Sequence, residues 1–338
     1  MQSTTHPPDG VVLAIDVGAT KMAACLVGGN GRIHQRAMAM THAGATVAED
    51  VWAPLAALVD RLVDAADGQR LLGIGIGSAG PVDPVRGTVS PVNISAWRDF
   101  PLVERLAARV PPGLPIRLAG DGVCAAAGEH WRGAGRGVDD LLVMVVSTGV
   151  GGGLVQGGRL VTGPSGNAGH VGHMVVDMGG EPCPCGGHGC VEALASGPSM
   201  VRWAVRQGWR AATADPGAVE LAAAARAGHQ VARIAFERAG AAIAAGAVSV
   251  AALCDLTHVV LGGGVSQAAD LLLPPLSAAI ARYARLGFLR DLTVLPAGLG
   301  VNAGLVGAAA MVFAPNTYPV PYRSVAPAQG SSGYPARG

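Results

Sequence analysis

The chain has almost no lysine and few aromatic rings: Lys21 is the only lysine in 338 residues, and Phe, Trp and Tyr together make up 4%. With so few rings, a core must be filled by Ala, Val, Leu and Ile, and half of the residues are hydrophobic, so the material is there. An excess of one charge is missing too. Twenty-four Lys and Arg stand against 23 Asp and Glu, a formal charge of +1. That balance argues against a nucleic-acid or membrane-surface protein, which would show a basic bias. No signal peptide is visible, because the first ten residues are polar with two prolines rather than charged and then apolar. The longest weakly polar run, Ala239 to Cys254, is mostly Ala and Gly, too short to span a bilayer, and reads as a buried helix. These absences predict a cytoplasmic protein in a reducing compartment, where clustered cysteines bind metal more often than they form disulfides.

What is present suggests two domains of α/β type. Val11 to Val17 reads as a buried strand opening a β-rich stretch to about Ala39. Ala48 to Ala65 has apolar residues at helical spacing, Leu71 to Ile76 is a short apolar strand, and Ile116 to Ala119 another, followed by a helix over Gly122 to Trp131. Leu141 to Ser147 is a strongly apolar strand. Helical patterns dominate from Pro198 to Leu253, then come a strand at Val259 to Leu261 and a last helix from Asn302 to Phe313. Alternating strands and helices indicate an α/β architecture with a boundary near Gly120. Residues 1–10 and the Pro-, Gly- and Ser-rich tail 314–338 are expected to be disordered.

Four segments look like glycine corners after strands: Asp16 to Lys21, Gly75 to Asp83, Ser147 to Gly153, and Leu261 to Ser266. Glycine lets backbone N–H groups approach a ligand closely, so such corners can cradle phosphates. One corner is only a turn; several in one chain point to a nucleotide. The Walker pattern is absent, because the sole lysine follows Thr20 instead of a glycine. Gly75, Gly77 and Gly80 match a dinucleotide fingerprint in spacing, but Pro81-Val-Asp-Pro84 follows where a helix should begin, so NAD binding is not expected. Asp16, placed after a strand, suits Mg²⁺ directly or through water, and Thr20 with the Gly18 backbone suits phosphate oxygens.

Cys183-Pro-Cys185-Gly-Gly-His-Gly-Cys190 sets three thiols within eight residues. Thiolates are good zinc ligands, and a fourth ligand closes a tetrahedral site. His173 is the natural candidate, with His188 and His170 behind it. A site closed by four protein ligands leaves no room for substrate and would be structural. Cys25, Cys124 and Cys254 stand singly in apolar surroundings and read as packing residues.

These residues resemble the ROK family (repressors, open reading frames and kinases) from about Val12 to Phe313. Asp16-Val-Gly-Ala-Thr-Lys21 is similar to its first phosphate motif, Ser147 to Gly153 to its second, and Leu261 to Gly264 to its adenosine-side motif. Ala168-Gly-His-Val-Gly-His173, followed by Cys-x-Cys-x4-Cys-x-Glu192, resembles its zinc and sugar signature, which is highly specific. The resemblance implies an actin-like, ribonuclease H-like fold of two α/β lobes: 11–119 with the helix 302–313, and 120–301 with a zinc loop at 173–190. It implies an ATP-dependent, Mg²⁺-using hexose 6-kinase with structural Zn²⁺, a homodimer or homotetramer whose partners are a sugar and ATP. By the same resemblance Asp121 is the general base and Gly80, Asn93, His170, His173 and Glu192 meet the sugar. Asp16, Gly18, Thr20, Lys21, Thr148, Gly149, Gly151, Gly263 and Gly264 meet ATP, and His173, Cys183, Cys185 and Cys190 hold zinc.

Departures from the family pattern point to the substrate. The family usually has Asn-Asp where this chain has Gly120-Asp121, and Glu where it has His170. Bacterial N-acetylmannosamine kinases share that histidine and keep the Asn. Ala19 replaces a second glycine. The expected substrate is therefore a hexose altered at C2 or C3, of the N-acetylmannosamine or kanosamine kind, with glucose as the alternative. A transcriptional regulator is disfavoured, since fifteen residues before Asp16 are too few for a helix-turn-helix domain, and a non-catalytic sugar sensor is disfavoured by Asp16, Asp121 and Glu192.

Overall fold

The structure is a computed structural model that describes residues 9–321. In chain order it runs β1 (Val11–Val17), β2 (Lys21–Gly28), β3 (Ile33–Met40), α1 (Ala48–Ala65), β4 (Leu71–Ser78), β5 (Val82–Asp83), β6 (Thr88–Val89) and α2 (Leu102–Ala107). Next come β7 (Ile116–Gly120), α3 (Asp121–Arg132), β8 (Leu141–Val146), β9 (Val150–Gln156), β10 (Arg159–Val161), α4 (Val191–Ala195) and α5 (Gly197–Arg206). The chain continues through α6 (Ala218–Arg226), α7 (Gln230–Cys254), β11 (His258–Gly262), α8 (Ala269–Tyr283), β12 (Thr293–Pro296) and α9 (Ala303–Phe313).

Two five-stranded sheets repeat one plan. The first has order β3-β2-β1-β4-β7, the second β10-β9-β8-β11-β12. In each, the first strand pairs antiparallel with a hairpin partner on one side and parallel with a later strand on the other. Alternation along β1 decides what each face meets. Val11, Leu13, Ile15 and Val17 join the core beneath α1, whose Val51, Leu55, Val59 and Leu62 recur at helical spacing. Val12 and Ala14 point the other way, into a core shared with α3, α9 and residues of the second sheet, among them Leu141, Val143 and Val260. Asp16 is the next residue on that face, and so emerges where the core ends.

Helices α3 and α9 cross between the two sheets, and small residues let them nearly touch. A Cβ on Gly307 would lie 1.6 Å from the Cys124 carbonyl oxygen, and one on Gly128 would lie 2.2 Å from that of Ala303. Gly75 answers the same demand: its Cβ would lie 1.9 Å from the Ala308 oxygen. Gly75 is therefore a seat for α9 within β4, not part of a ligand-binding corner as its spacing suggested.

Two further expectations change. Residues 314–321 are ordered packing rather than free tail: Tyr318 and Val320 are buried, and the Tyr318 hydroxyl meets His130 Nδ1 at 2.9 Å. The backbone N–H of Leu160 also donates to Thr317 O at 3.0 Å. Two apolar side chains in an otherwise polar, Pro-rich stretch are enough to dock it. The remaining disorder expected for the two termini, 1–8 and 322–338, lies outside the described residues. Finally, the helix around Ala239 begins earlier, at Gln230. Its 25 residues are long and apolar enough by length and composition to cross a membrane, but 67% of its most apolar stretch is buried inside the protein, as befits a core helix.

Candidate active site

The C-terminal ends of β1, β4, β7, β8 and β11 open on one cleft of about 720 Å³, the place where open α/β sheets bind ligands. At one corner the β1–β2 hairpin turns tightly, with Gly18 N donating to Lys21 O at 3.1 Å and the Thr41 hydroxyl donating to Gly18 O at 2.7 Å. Thr20 and Lys21 project from this turn into the cleft. Asp16 lies beside it, against the start of α9, where a Cβ on Gly304 would stand 3.5 Å from Oδ2. Burial pushes the Asp16 carboxyl up to about 7, with Asp121 adding to the rise and Lys21 and Arg36 opposing it.

The second corner is the β8–β9 hairpin. Ser147 N donates to Gly149 O at 2.8 Å, leaving Thr148 exposed at the tip. Gly149 must lack a side chain, since a Cβ there would lie 2.6 Å from Glu192 Oε2. Glu192, in the first turn of α4, accepts from Val150 N at 2.8 Å through that same oxygen. The glycine corner is shorter than its sequence suggested, because Gly151, Gly152 and Gly153 belong to strand β9. Gly153 makes room for α3, since a Cβ there would sit 2.7 Å from Ala126 Cβ, and Gly122 of α3 comes so close that its own Cβ would sit 2.4 Å from Gly152 N. Across from this hairpin, Gly263 has φ +94° and would drive a Cβ to 2.3 Å from the Val146 oxygen, so only glycine fits. Gly264 lies exposed beside it.

Asp121 is the first residue of α3, directly after β7, and faces the cleft. Its Oδ1 accepts from Gly122 N at 2.7 Å. The carboxyl is open to the cleft on one side yet lies on its floor among protein atoms. That burial raises its pKa, Glu192 raises it further, and the Gly122 N–H opposes both. Next to it Gly120 is in ordinary extended backbone, φ −63° and ψ 149°, and a Cβ there would meet only Val123 Cγ2, at 3.8 Å.

Gly80, Asn93, His170 and His173 line the same cleft. A Cβ on Gly80 would lie 3.4 Å from His170 Nε2. Partial burial of the ring and then the neighbouring His173 lower the His170 pKa, which favours the neutral imidazole. Beyond it the three clustered cysteines and His173 come together, with all four ligand atoms within 4.8 Å of one another. Cys183 Sγ is 3.7 Å from His173 Nδ1, and Cys185 Sγ is 3.8 Å from Cys190 Sγ. A tetrahedral zinc with Zn–S bonds of about 2.3 Å has ligands about 3.8 Å apart, so the donor set fits that ion in spacing and in chemistry. His188 and His170 are not part of the cluster.

The chain matches the ROK family over residues 12–314. It belongs to the ROK family. It is 31% identical to a glucokinase of Thermotoga maritima over 314 residues, 89% of this chain and 96% of that one. It is 38% identical to an N-acetylmannosamine kinase of Shigella flexneri over 258 residues, 76% of this chain and 84% of that one. Among solved structures, a ROK family glucokinase from Streptomyces griseus in complex with glucose and AMPPNP has TM-score 0.75 and 36% identity, covering 89% of this chain and 99% of that one. The two-sheet plan is thus the actin-like ATPase fold, with two lobes about a cleft.

Glu129, which lines the cleft, and Asn167, later in the chain, gave no signal in the sequence of this ROK protein. Glu129, wholly buried in α3, accepts from Ala134 N at 2.8 Å and Gly298 N at 2.9 Å through Oε2, and from Leu299 N at 2.9 Å through Oε1. It ties the end of α3 to the segment that leads into α9. Asn167 grips Val82, donating to its O at 2.8 Å and accepting from its N at 3.1 Å, so the loop before His170 is fastened to the loop after Gly80. Neither has a motif around it; only the fold brings their partners together. Glu129→Ala leaves three part-buried N–H groups without their acceptor and opens space where a buried carboxylate stood. A lost hydrogen bond to a charged group costs about 1.5–3 kcal/mol, so denaturant melts should show a clear loss of stability, whereas Glu129→Gln, keeping one acceptor oxygen, loses less.

Proposed function

We propose that this ROK sugar kinase transfers the γ-phosphoryl group of ATP to the 6-hydroxyl of a hexose altered at C2 or C3. The observation that carries the reading is the position of Asp121. Its carboxylate lines the same cleft as Gly80, Asn93, His170 and Glu192 and as residues 16, 18–21, 147–149 and 263–264, near enough to Glu192 and to Asp16 for their charges to act on one another. A hydroxyl held there loses its proton to Asp121 as its oxygen attacks the γ-phosphorus, and ADP leaves. Gly18, Thr20, Lys21, Thr148, Gly149 and Gly264 hold the phosphates, with Gly151 and Gly263 giving the backbone its close approach. Asp16 holds Mg²⁺, which when bound neutralises phosphate charge. Glu192 and His173 take the C1 and C2 side of the sugar. Zinc on His173, Cys183, Cys185 and Cys190 fixes the loop that carries them, with no position left open for chemistry. The lobe boundary falls at Gly120, with α9 completing the first lobe.

The substrate class rests on Gly120 and His170. Where an Asn and a Glu would meet the 3-hydroxyl of glucose, this cleft offers open space beside Val123 and a neutral imidazole. Imidazole can donate or accept where a carboxylate only accepts, which suits a substituted sugar. The glucokinase relatives favour glucose itself, and a coupled ADP-release assay across glucose, N-acetylmannosamine and 3-amino-glucose decides. At least one amino-hexose should have the higher kcat/KM. Gly120→Asn with His170→Glu should then shift preference towards glucose by about 10- to 100-fold, as expected for one or two restored hydrogen bonds to a buried hydroxyl. Wild-type preference for glucose over every amino-hexose overturns the amino-sugar reading and leaves glucokinase.

A further inference from the structure

The cleft is rich in acid and short of cation. Asp16, Asp121, Glu129 and Glu192 line it, and among the described residues the only Lys or Arg side chains that do are Lys21 and Arg36. Neither takes part in the six ion pairs found among the described residues. Lys21 belongs to the first phosphate motif; Arg36 belongs to none. Arg36 lies on β3 opposite Cys25 of β2, and its Nη1 donates to Asn302 Oδ1 at 3.0 Å, at the foot of α9. That bond reaches across 266 residues of sequence and uses one of five guanidinium donors, leaving the planar group to meet an anion. Its field also reaches Asp16, where it opposes the rise caused by burial.

We propose that Arg36 is a second cationic contact for the β- and γ-phosphates of the nucleotide, held in position by Asn302. The inference rests on the reading that the cleft takes ATP. A triphosphate brings about four negative charges to a site already lined by carboxylates. Lys21 and a divalent cation balance part of that charge, and a guanidinium fastened at the rim supplies more, in a geometry matched to phosphate oxygens. Asn302 acts as a positioning residue, because its amide oxygen fixes one edge of the guanidinium.

The test compares ligands that differ only in phosphate number. Calorimetric titrations of wild type, Arg36→Gln, Arg36→Lys and Asn302→Ala with adenosine, AMP, ADP and AMPPNP separate a phosphate contact from general damage. In Arg36→Gln, adenosine and AMP should bind within about twofold of wild type while ADP and AMPPNP weaken about 10- to 100-fold, the worth of a charge-assisted hydrogen bond. Arg36→Lys should recover part of the loss, and Asn302→Ala should fall between wild type and Arg36→Gln. Equal weakening of adenosine and AMPPNP, or no weakening of either, overturns the proposal. An unchanged unfolding midpoint of the ligand-free variants excludes misfolding as the source. If wild type binds AMPPNP but phosphorylates no hexose, the kinase reading fails while the role of Arg36 is still measured.

Discussion

Asp121→Asn is expected to lower turnover by about 10² to 10⁴-fold, the usual contribution of a positioned base, and at neutral pH to raise the unfolding temperature. The two effects share one cause. Burial and the nearby Glu192 hold the Asp121 carboxyl above its ordinary range in the folded protein, so the folded state binds this proton more tightly than the unfolded chain does. Between the unfolded pKa and the raised folded one, stability therefore falls as pH rises, and above the folded pKa the whole penalty stays. Asparagine removes it. The melting-temperature gain of Asp121→Asn should be largest at pH 7–8 and shrink as pH falls towards 4. Turnover of the wild type should decline on the acid side as the base becomes protonated, with its midpoint above the 3.8 of an ordinary aspartate. Near-normal turnover in Asp121→Asn would remove the residue from the reaction, and a variant no more stable than wild type at pH 8 would remove the account of its environment.

Purified protein should contain one zinc per chain, and Cys190→Ser should lose both the metal and activity. The loop from His173 to Cys190 is glycine-rich, with five glycines in eighteen residues; apart from the His/Cys cluster, its fastenings include the ion pairs of Glu181 with Arg206 and Arg238. Exposed pairs of that kind are worth about 0–1 kcal/mol, whereas structural zinc contributes roughly 10 kcal/mol or more in small zinc-dependent folds. Losing it releases His173 directly and Glu192 through its neighbour Cys190, so sugar affinity should fall with stability. Metal analysis, thermal melts and kinetics on the same preparation read all three. A zinc-free chain with full activity and an unchanged melt would sink the assignment.

Much of this was legible in the sequence, and the exceptions have physical reasons. Strand β1 and helix α1 have the residue ranges read from the sequence, because β1 is an unbroken apolar run buried on both faces and α1 repeats apolar residues at helical spacing against one core. The cluster of His173, Cys183, Cys185 and Cys190 was readable because a short loop brings its members together without help from the fold. Helix α8 was not among the elements read from the sequence; it carries Pro274 and Pro275, and burial of Leu272 and Leu276 in the core with α7 outweighs them. The glycines misled in a consistent way. Gly75, Gly152 and Gly153 sit in strands where a helix presses close, and spacing alone cannot tell a glycine that admits a phosphate from one that admits a backbone. Arg36, Glu129 and Asn167 owe their roles to partners far along the chain, and no local pattern announces them.

Placing the sole lysine in the cleft gives the protein an unusual chemical handle. Reagents that acylate or alkylate primary amines scatter over the surface of most proteins. Here, apart from the α-amino group, they have one destination. Acetylation of Lys21 would erase one of the two Lys and Arg charges lining the cleft while leaving the 23 arginines untouched. A modification that is usually diffuse becomes, in this chain, a single-site event aimed at the place where the nucleotide is expected to lie.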